Sequence, residues 1–349
     1  MKRNTAMLLT VVSLATLTAC GGGGGGGTTV VDTPAPAPAP GPGLTAPLAS
    51  TLVTSVSAPA YAAVSEELAA FNLLNAERGS CGFGLLAQNT LLDTSAKNHA
   101  DWMLTNNFYG HNQTATAPTG FTGVTSKDRA NAAGYASVDV TETLGGSMSQ
   151  PLIAGYGEAS ARELMSLPYH LFGMMSPYKD LGISIRSRDS VTPLVANGLS
   201  RTAVYNFGVA TGAAYQLADS SNVSTYPCEG VTGVNYRVTG EVPNPVPGRD
   251  LAVNPLGHPI LVMVRKGQNL VITSSSMVSV ATGLPVAMRA PVMASNDPNG
   301  LLGPYGNYMG YVVPDAPLAQ NASYQATVNG TNDGVAFSRT FVFGTGSGG

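Results

Sequence analysis

The stretch Leu92-Asp-Thr-Ser-Ala-Lys-Asn-His-Ala100, with Phe108-Tyr-Gly-His111 shortly after it, decides how the chain is interpreted. Within the first stretch Leu92, Ala96 and His99 lie four and three residues apart, as on one face of an α-helix. We therefore predict an amphipathic helix that ends before the second stretch. The predicted helix buries His99 on its apolar face, where a backbone or side-chain acceptor satisfies the ring.

Helices and strands around this stretch do not alternate regularly. Apolar spacing predicts a helix over Ser65–Arg78 with Ser65 as its N-cap. A third helix is predicted over Ala159–Leu171, and Pro168 should break it or end it. Two strand-like runs come next, Leu181–Arg186 and Ala203–Val209. This order of elements indicates an α+β fold.

The pattern changes after Cys228. Six short β-rich runs are separated by turn residues: Tyr236–Val242, Pro259–Val264, Leu270–Thr273, Tyr311–Val313, Tyr324–Val328 and Phe337–Phe343. Asn332-Asp333-Gly334 between the last two is a strong hairpin signal. We predict an immunoglobulin-like β-sandwich over residues 229–345, with His258 in one of its loops.

Five motifs of the first part resemble, in the right order, those of bacterial CAP-domain proteins, the SCP-like superfamily. They are Phe71–Arg78, Leu92–Ala100, Phe108–His111, Asp128–Tyr135 and Leu164–Ser184. The resemblance implies an α-β-α sandwich over roughly residues 65–215, within a domain assigned to residues 61–228. The adjacent Asp128 and Arg129 could form a local ion pair.

The resemblance also implies a cleft with two histidines and acidic partners. His111 matches the first cleft histidine, His170 the second, and Glu142 the family's cleft glutamate. Thr141 and Thr143 replace the glycine and asparagine that flank this glutamate in the family, and Leu164 stands where many members have tryptophan. A second acidic residue is assigned to Glu163, with Glu158 as the alternative.

Two imidazoles and a carboxylate could hold a divalent metal such as zinc and leave one position open for water. The metal ligands would be His111, His170 and Glu142. No two of them are a turn of helix apart in the sequence, so spacing alone does not reveal a metal. The alternative is a hydrogen-bonded polar cleft without a tightly bound ion.

The N-terminus has the pattern of an exported lipoprotein. Lys2 and Arg3 precede the apolar run Met7–Leu17, and Leu17–Cys20 resembles a lipobox. We predict a signal peptide over residues 1–19, lipidation at Cys20 and a Gly/Pro/Ala-rich tether over residues 20–60. The expected location is the bacterial envelope, and the resemblance to other lipoproteins implies that Gly21 after the cysteine favours the outer membrane. The alternative is an ordinary cleaved signal peptide.

Composition excludes one class of partner. The formal net charge is −3 and there is no basic patch, so nucleic acid is not an expected partner. Apart from Cys20, the chain has only Cys81 and Cys228, which in an oxidising compartment most simply form a disulfide. Such a long loop would stabilise the fold by about 4–5 kcal/mol. The alternative is two buried free thiols.

Three functions follow from these features. The first is a lipid-anchored binding protein whose His/Glu cleft holds a small lipid-like ligand, a metal or an envelope component. The second is a metal-assisted hydrolase that uses His111, His170 and Glu142; no Gly-x-Ser-x-Gly nucleophile motif competes with it. The third is adhesion through the β region. No classical enzyme is favoured.

Overall fold

The computed structural model describes residues 46–147, 154–188 and 198–348. The chain from Ala46 onward forms one compact unit. With 21% helix, 28% strand and several antiparallel sheets, the fold is α+β in content, as predicted. The predicted signal peptide, Cys20 and the tether up to residue 45 lie outside the described residues. None of the helices within the described ranges has the length and apolar content to cross a membrane.

Residues 46–60, the described part of the predicted tether, contain no helix or strand but are bonded to the fold. The Thr51 amide donates to the Leu217 carbonyl at 2.7 Å, and the Leu85 amide donates to the Val53 carbonyl at 2.8 Å. This part of the chain therefore lies against the folded region.

In its described residues, the first region, residues 66–210, combines five helices with a four-stranded sheet. Its elements are α1 (Glu66–Ser80), β1 (Ala87–Gln88), α2 (Thr90–Asn106), α3 (Ser126–Ala132), β2 (Ser137–Ser147), α4 (Tyr156–Leu164), α5 (Pro168–Met175), β3 (Asp180–Ser187) and β4 (Arg201–Ala210). The strand order is β1-β3-β4-β2, parallel between β1 and β3 and antiparallel elsewhere. We call this the helix-and-sheet region.

Local sequence accounts for the helix boundaries. Ser65 caps α1, because its hydroxyl accepts from the Leu68 amide at 3.1 Å. Pro168 occupies the first turn of α5 and separates it from α4, since proline is tolerated only at the start of a helix. Both predictions are confirmed. The strand β2, which carries Glu142, was not predicted.

Helices cover both faces of the sheet. Neighbouring residues on a strand point to opposite faces. On β4, Val204 packs in one cluster with Trp102 of α2, whereas Tyr205 belongs to the core that contains residues of α1 and α4. A Cβ on Gly182 would overlap the Leu92 backbone, so this glycine lets α2 lie directly on β3. The close contact fixes the face of α2 that carries His99.

The second region consists of two four-stranded sheets. Its strands are β5 (Ser224–Tyr226), β6 (Ile260–Met263), β7 (Leu270–Ser279), β8 (Pro285–Val286), β9 (Val292–Met293), β10 (Met309–Val312), β11 (Ser323–Asn332) and β12 (Val335–Gly344). The sheet orders are β5-β6-β10-β9 and β12-β11-β7-β8, and all pairs are antiparallel. We call this the β region.

The predicted hairpin is confirmed, and one predicted strand is wrong. Asp333 and Gly334 connect β11 to β12 with positive φ angles of 49° and 82°, as a two-residue hairpin turn requires. Tyr236–Val242 forms no strand: only Val238 makes an isolated bridge, to Leu256. Pro243, which follows, has no amide to donate to a strand pairing.

The two regions share a core and a covalent link. Phe172 of α5 packs against Tyr311 of β10 with ring centroids 6.1 Å apart, inside a hydrophobic cluster that spans both regions. Cys81, which ends α1, is disulfide-bonded to Cys228, as predicted. β5 precedes the boundary that we predicted at residue 228, yet it pairs with β6 of the β region.

Candidate functional site

The first half of the site is an ion pair buried beneath His111. Glu142 of β2 accepts from Arg129 Nη2 of α3 at 2.7 Å and lies 3.1 Å from His111 Nδ1. Arg129 also donates through Nη1 to the carbonyls of His111 and Val124, both at 2.9 Å. The arginine therefore fixes the loop that carries His111 as well as the carboxylate that faces it.

The charge on Glu142 is stabilised despite its burial. Burial on its own raises the pKa of Glu142, but its partners outweigh this effect and the pKa lies below the usual value. A protonated His99 would lower the pKa of Glu142 more than any other group. The pKa of His99 itself falls to about 4, so its ring carries no charge near neutral pH. Near neutral pH the Arg129 charge and the His111 hydrogen bond therefore keep Glu142 ionised.

His99 is a core histidine, as predicted. It is fully buried; Nε2 donates to the Gly110 carbonyl at 3.0 Å, and Nδ1 accepts from Gln113 Nε2 at 3.3 Å. The ring stacks on Trp102 with centroids 5.9 Å apart. Burial, first of all, lowers the pKa of His99 to about 4. His99 thus supports the His111 loop as a neutral ring.

The second half of the site joins the two regions. His170 lies in the first turn of α5, and its Nδ1 is 2.6 Å from Glu241 Oε1. The other oxygen of Glu241 accepts from the Tyr169 amide at 3.3 Å. No side chain at the N-cap position of α5 bonds that turn, so the Glu241 carboxylate supplies an acceptor at this helix N-terminus. Burial raises the pKa of Glu241, and His170 opposes that rise.

His111 and His170 line two adjoining cavities. The cavity of about 360 Å³ is also lined by Glu142, Tyr169, Val242, Pro243, Leu301, Leu302 and Tyr305, among others. The cavity of about 490 Å³ is also lined by Glu163, Glu241, Val242, Arg249 and Asp250, among others. The His111 side chain is 53% exposed and that of His170 14%, so both rings are accessible from the cavities.

The remaining sequence-predicted residues occupy different places. Glu163 lines the larger cavity, but no hydrogen bond joins it to either cleft histidine among the described residues. Glu158 forms an exposed pair with Arg162 at 3.1 Å. His258 lies in a loop before β6, as predicted, but it is buried, with Nδ1 3.1 Å from the Asn235 carbonyl.

The three residues that the sequence assigned to a metal differ in how far their polar atoms are already engaged. His111 and His170 share the cavities, whereas both oxygens of Glu142 are engaged, one by His111 and one by Arg129. Within residues 46–147, 154–188 and 198–348, no group of three or more His, Cys, Asp and Glu side chains is placed to hold a metal ion.

Two residues of the site were missed from the sequence. Arg129 does not form the local ion pair with Asp128 that the sequence allowed. Asp128 accepts from the Thr125 amide in the capping box of α3, and Arg129 turns inward to Glu142. The Thr125-x-x-Asp128 capping pattern could have shown that Asp128 was already committed. No local signal marks Glu241, which lies in an irregular segment.

Comparison with models of known protein families gives no match to this chain, and comparison with curated proteins gives no relative.

Proposed function

We propose that this chain is a bacterial envelope protein in which a CAP-type domain and an immunoglobulin-like β domain together form a cleft for a small amphipathic ligand. The single observation that carries the proposal is the convergence of His111 and His170, each bonded to a buried carboxylate, on adjoining cavities. A pocket of this size with a few convergent polar groups is the usual form of a small-molecule site.

The arrangement of the helix-and-sheet region supports the CAP-type assignment. Helices lie on both faces of its sheet, and the motif residues His111, Glu142 and His170 line one cavity. Two antiparallel sheets in the β region agree with an immunoglobulin-like sandwich. The assignment of both domains rests on these features and on the order of the motifs. The function is argued from the cleft, because a fold alone does not specify a function.

The chemistry of the cleft favours an amphipathic ligand. Imidazoles and carboxylates form its polar base. Val242, 87% exposed, and Leu301, 38% exposed, stand at its rim, and Pro243 and the buried Leu302 also line it. A ligand with one polar group and an apolar body could hydrogen-bond at the base and cover these side chains from water.

The Cys81–Cys228 disulfide is what an exported protein is expected to contain, and it supports placement outside the cytoplasm. We propose lipidation at Cys20 and an outer-membrane location. A Cys20→Ser variant should move the exported protein from the membrane fraction to the soluble periplasmic fraction. If the variant stays in the membrane fraction, the anchor lies elsewhere.

Ligand binding can be tested with 1-aminoanthracene, an apolar fluorophore with a single amine, and the full chain carrying Cys20→Ser. We expect one saturable site in this protein and at least about a tenfold weaker affinity when His111→Ala and His170→Ala are added. Lys97→Ala, on the exposed side of α2, serves as a matched control. Non-saturable fluorescence, or equal affinity in the double variant, would overturn the proposal.

A divalent-cation site, with metal-assisted hydrolysis as its activity, is the second candidate. It is favoured by the Nδ1–carboxylate contacts of both cleft histidines, since metal-binding histidines usually donate their other ring nitrogen to a carboxylate or carbonyl. The imidazoles of His111 and His170 would be the protein ligands of such an ion, and water would complete its shell. Elemental analysis of the purified protein beside the double histidine variant tests it: stoichiometric zinc lost only in the variant supports the candidate, and no zinc in either contradicts it.

A further inference from the structure

Glu241 is the residue that ties the β region to the cleft. Its side chain has no exposed surface, and its two oxygens contact His170 Nδ1 at 2.6 Å and the Tyr169 amide at 3.3 Å. Among the described residues, His170 is the one basic side chain within ion-pair distance of this carboxylate. A buried carboxylate held on both oxygens has one orientation, and so does the ring bonded to it.

The same contact recurs on the other side of the cleft. Glu142 is also buried, and its Oε1 lies 3.1 Å from His111 Nδ1. Its Oε2 is held by Arg129 Nη2. Both cleft histidines are therefore held through the same ring nitrogen, by carboxylates from different regions of the chain. Because Nδ1 is occupied in each ring, Nε2 is the nitrogen left for a ligand in the cavities.

This geometry determines what Nε2 can do. A carboxylate accepts hydrogen bonds, so Nδ1 of each neutral ring carries the proton and Nε2 presents a lone pair. Two lone pairs are complementary to a hydroxyl or amine donor and repel a carboxylate or phosphate. Other charged groups at the larger cavity are Glu163, Asp250 and Arg249, and Arg249 already pairs with Asp315 at 2.7 Å.

We propose that Glu241 is a positioning residue that fixes His170 as a hydrogen-bond acceptor beside His111, and that the cleft consequently selects a neutral amphipathic alcohol over a fatty acid. The proposal rests on the ligand-binding function proposed above and names its ligand class. The apolar rim at Val242 and Leu301 takes the alkyl body, and the hydroxyl donates its one hydrogen to Nε2 of either imidazole.

The ligand class is tested first without any change at the site. In the full chain with Cys20→Ser at pH 7.5, 1-dodecanol and dodecanoate, which have the same chain length, are compared as competitors of 1-aminoanthracene. We expect the alcohol to displace the probe at a concentration at least about tenfold lower than the acid. Equal or stronger displacement by the acid overturns the selectivity.

The positioning role is tested by Glu241→Ala, with Glu241→Gln as the conservative variant and Asp250→Asn as a control that removes an exposed charge from the same cavity. Two-bond ¹H–¹⁵N spectra report which nitrogen of each histidine carries the proton. We expect His170 to shift toward the Nε2–H form in Glu241→Ala while His111 is unchanged, and 1-dodecanol affinity to fall about tenfold. Glu241→Gln should restore most of the affinity, because its amide oxygen can still accept from Nδ1.

The outcomes separate the two proposals. If the wild-type site binds no probe saturably, the ligand-binding function fails. If binding is intact but Glu241→Ala keeps both the His170 tautomer and the alcohol affinity, the positioning role fails and the binding function stands. Should Glu241→Ala not fold, the wild-type spectra still test the proposal, because an Nε2–H form of His170 there would by itself overturn it.

Discussion

The helix-and-sheet region and the β region contribute to the cleft in different ways. The first supplies both histidines, Glu142 and the Arg129 that neutralises it. The second supplies Glu241, a buried carboxylate whose ion-pair partner in the described chain is His170 of the other region. The first half of the site could therefore persist without the β region, whereas the second half exists only while the two regions are joined.

The disulfide is the strongest of the links between the regions, and removing it should have the largest effect. Cys81 and Cys228 are 147 residues apart, so the bond restricts a very long loop of the unfolded chain. We expect Cys81→Ser/Cys228→Ser to lose about 4–5 kcal/mol of unfolding free energy. Urea denaturation of oxidised wild type, reduced wild type and the double variant measures it. Oxidised wild type as unstable as the variant would contradict the prediction.

Glu142→Gln tests the half of the site that lies within one region. It leaves Arg129 buried without its counter-charge, which typically costs about 3–5 kcal/mol. Chemical denaturation at pH 7 measures the loss. Glu158→Gln is the matched control, because its pair with Arg162 is exposed and should cost under about 1 kcal/mol. Similar losses in the two variants would show that the buried Arg129–Glu142 pair contributes no more to the free energy of unfolding than an exposed pair does.

The two cleft carboxylates should respond to pH with opposite signs. The pKa of Glu142 is lowered in the fold, so its contribution to stability is present above the ordinary glutamate pKa of 4.5 and is lost as the pH falls through the folded value. The pKa of Glu241 is raised by burial, so its contribution is full below 4.5 and is lost as the pH rises through the folded value.

Urea denaturation of wild type, Glu142→Gln and Glu241→Gln between pH 4 and pH 7 checks these signs. Between pH 4 and pH 7, the stability that wild type has over Glu142→Gln should grow with pH, and the stability that it has over Glu241→Gln should shrink. If the two stability differences changed with pH in the same direction, the opposite pKa shifts of Glu142 and Glu241 would be wrong.

The same difference between regions explains what the sequence could predict. Ser65, Pro168, His99 and the Asp333-Gly334 turn follow local rules of capping, helix spacing and hairpin geometry, and the structure agrees with them. Glu241 follows no such rule. It lies in an irregular stretch that we predicted as a strand, and its partner is 71 residues away. Only the packing of α5 against the β region brings the two together.

Another tie between the regions lies away from the cleft. Lys266, in the turn after β6, places Nζ 4.5 Å from the ring centroid of Tyr215 and 5.0 Å from that of Tyr308. The Tyr215 hydroxyl in turn donates to Asp139 of β2 at 2.6 Å. A partly buried cation beside two rings should contribute about 0.5–1 kcal/mol. We therefore expect Lys266→Met, which keeps the apolar stem, to lose that amount in urea denaturation, and Lys266→Arg to stay near wild type. Equal losses in both variants would assign the effect to the shape of the lysine side chain, because arginine retains the charge.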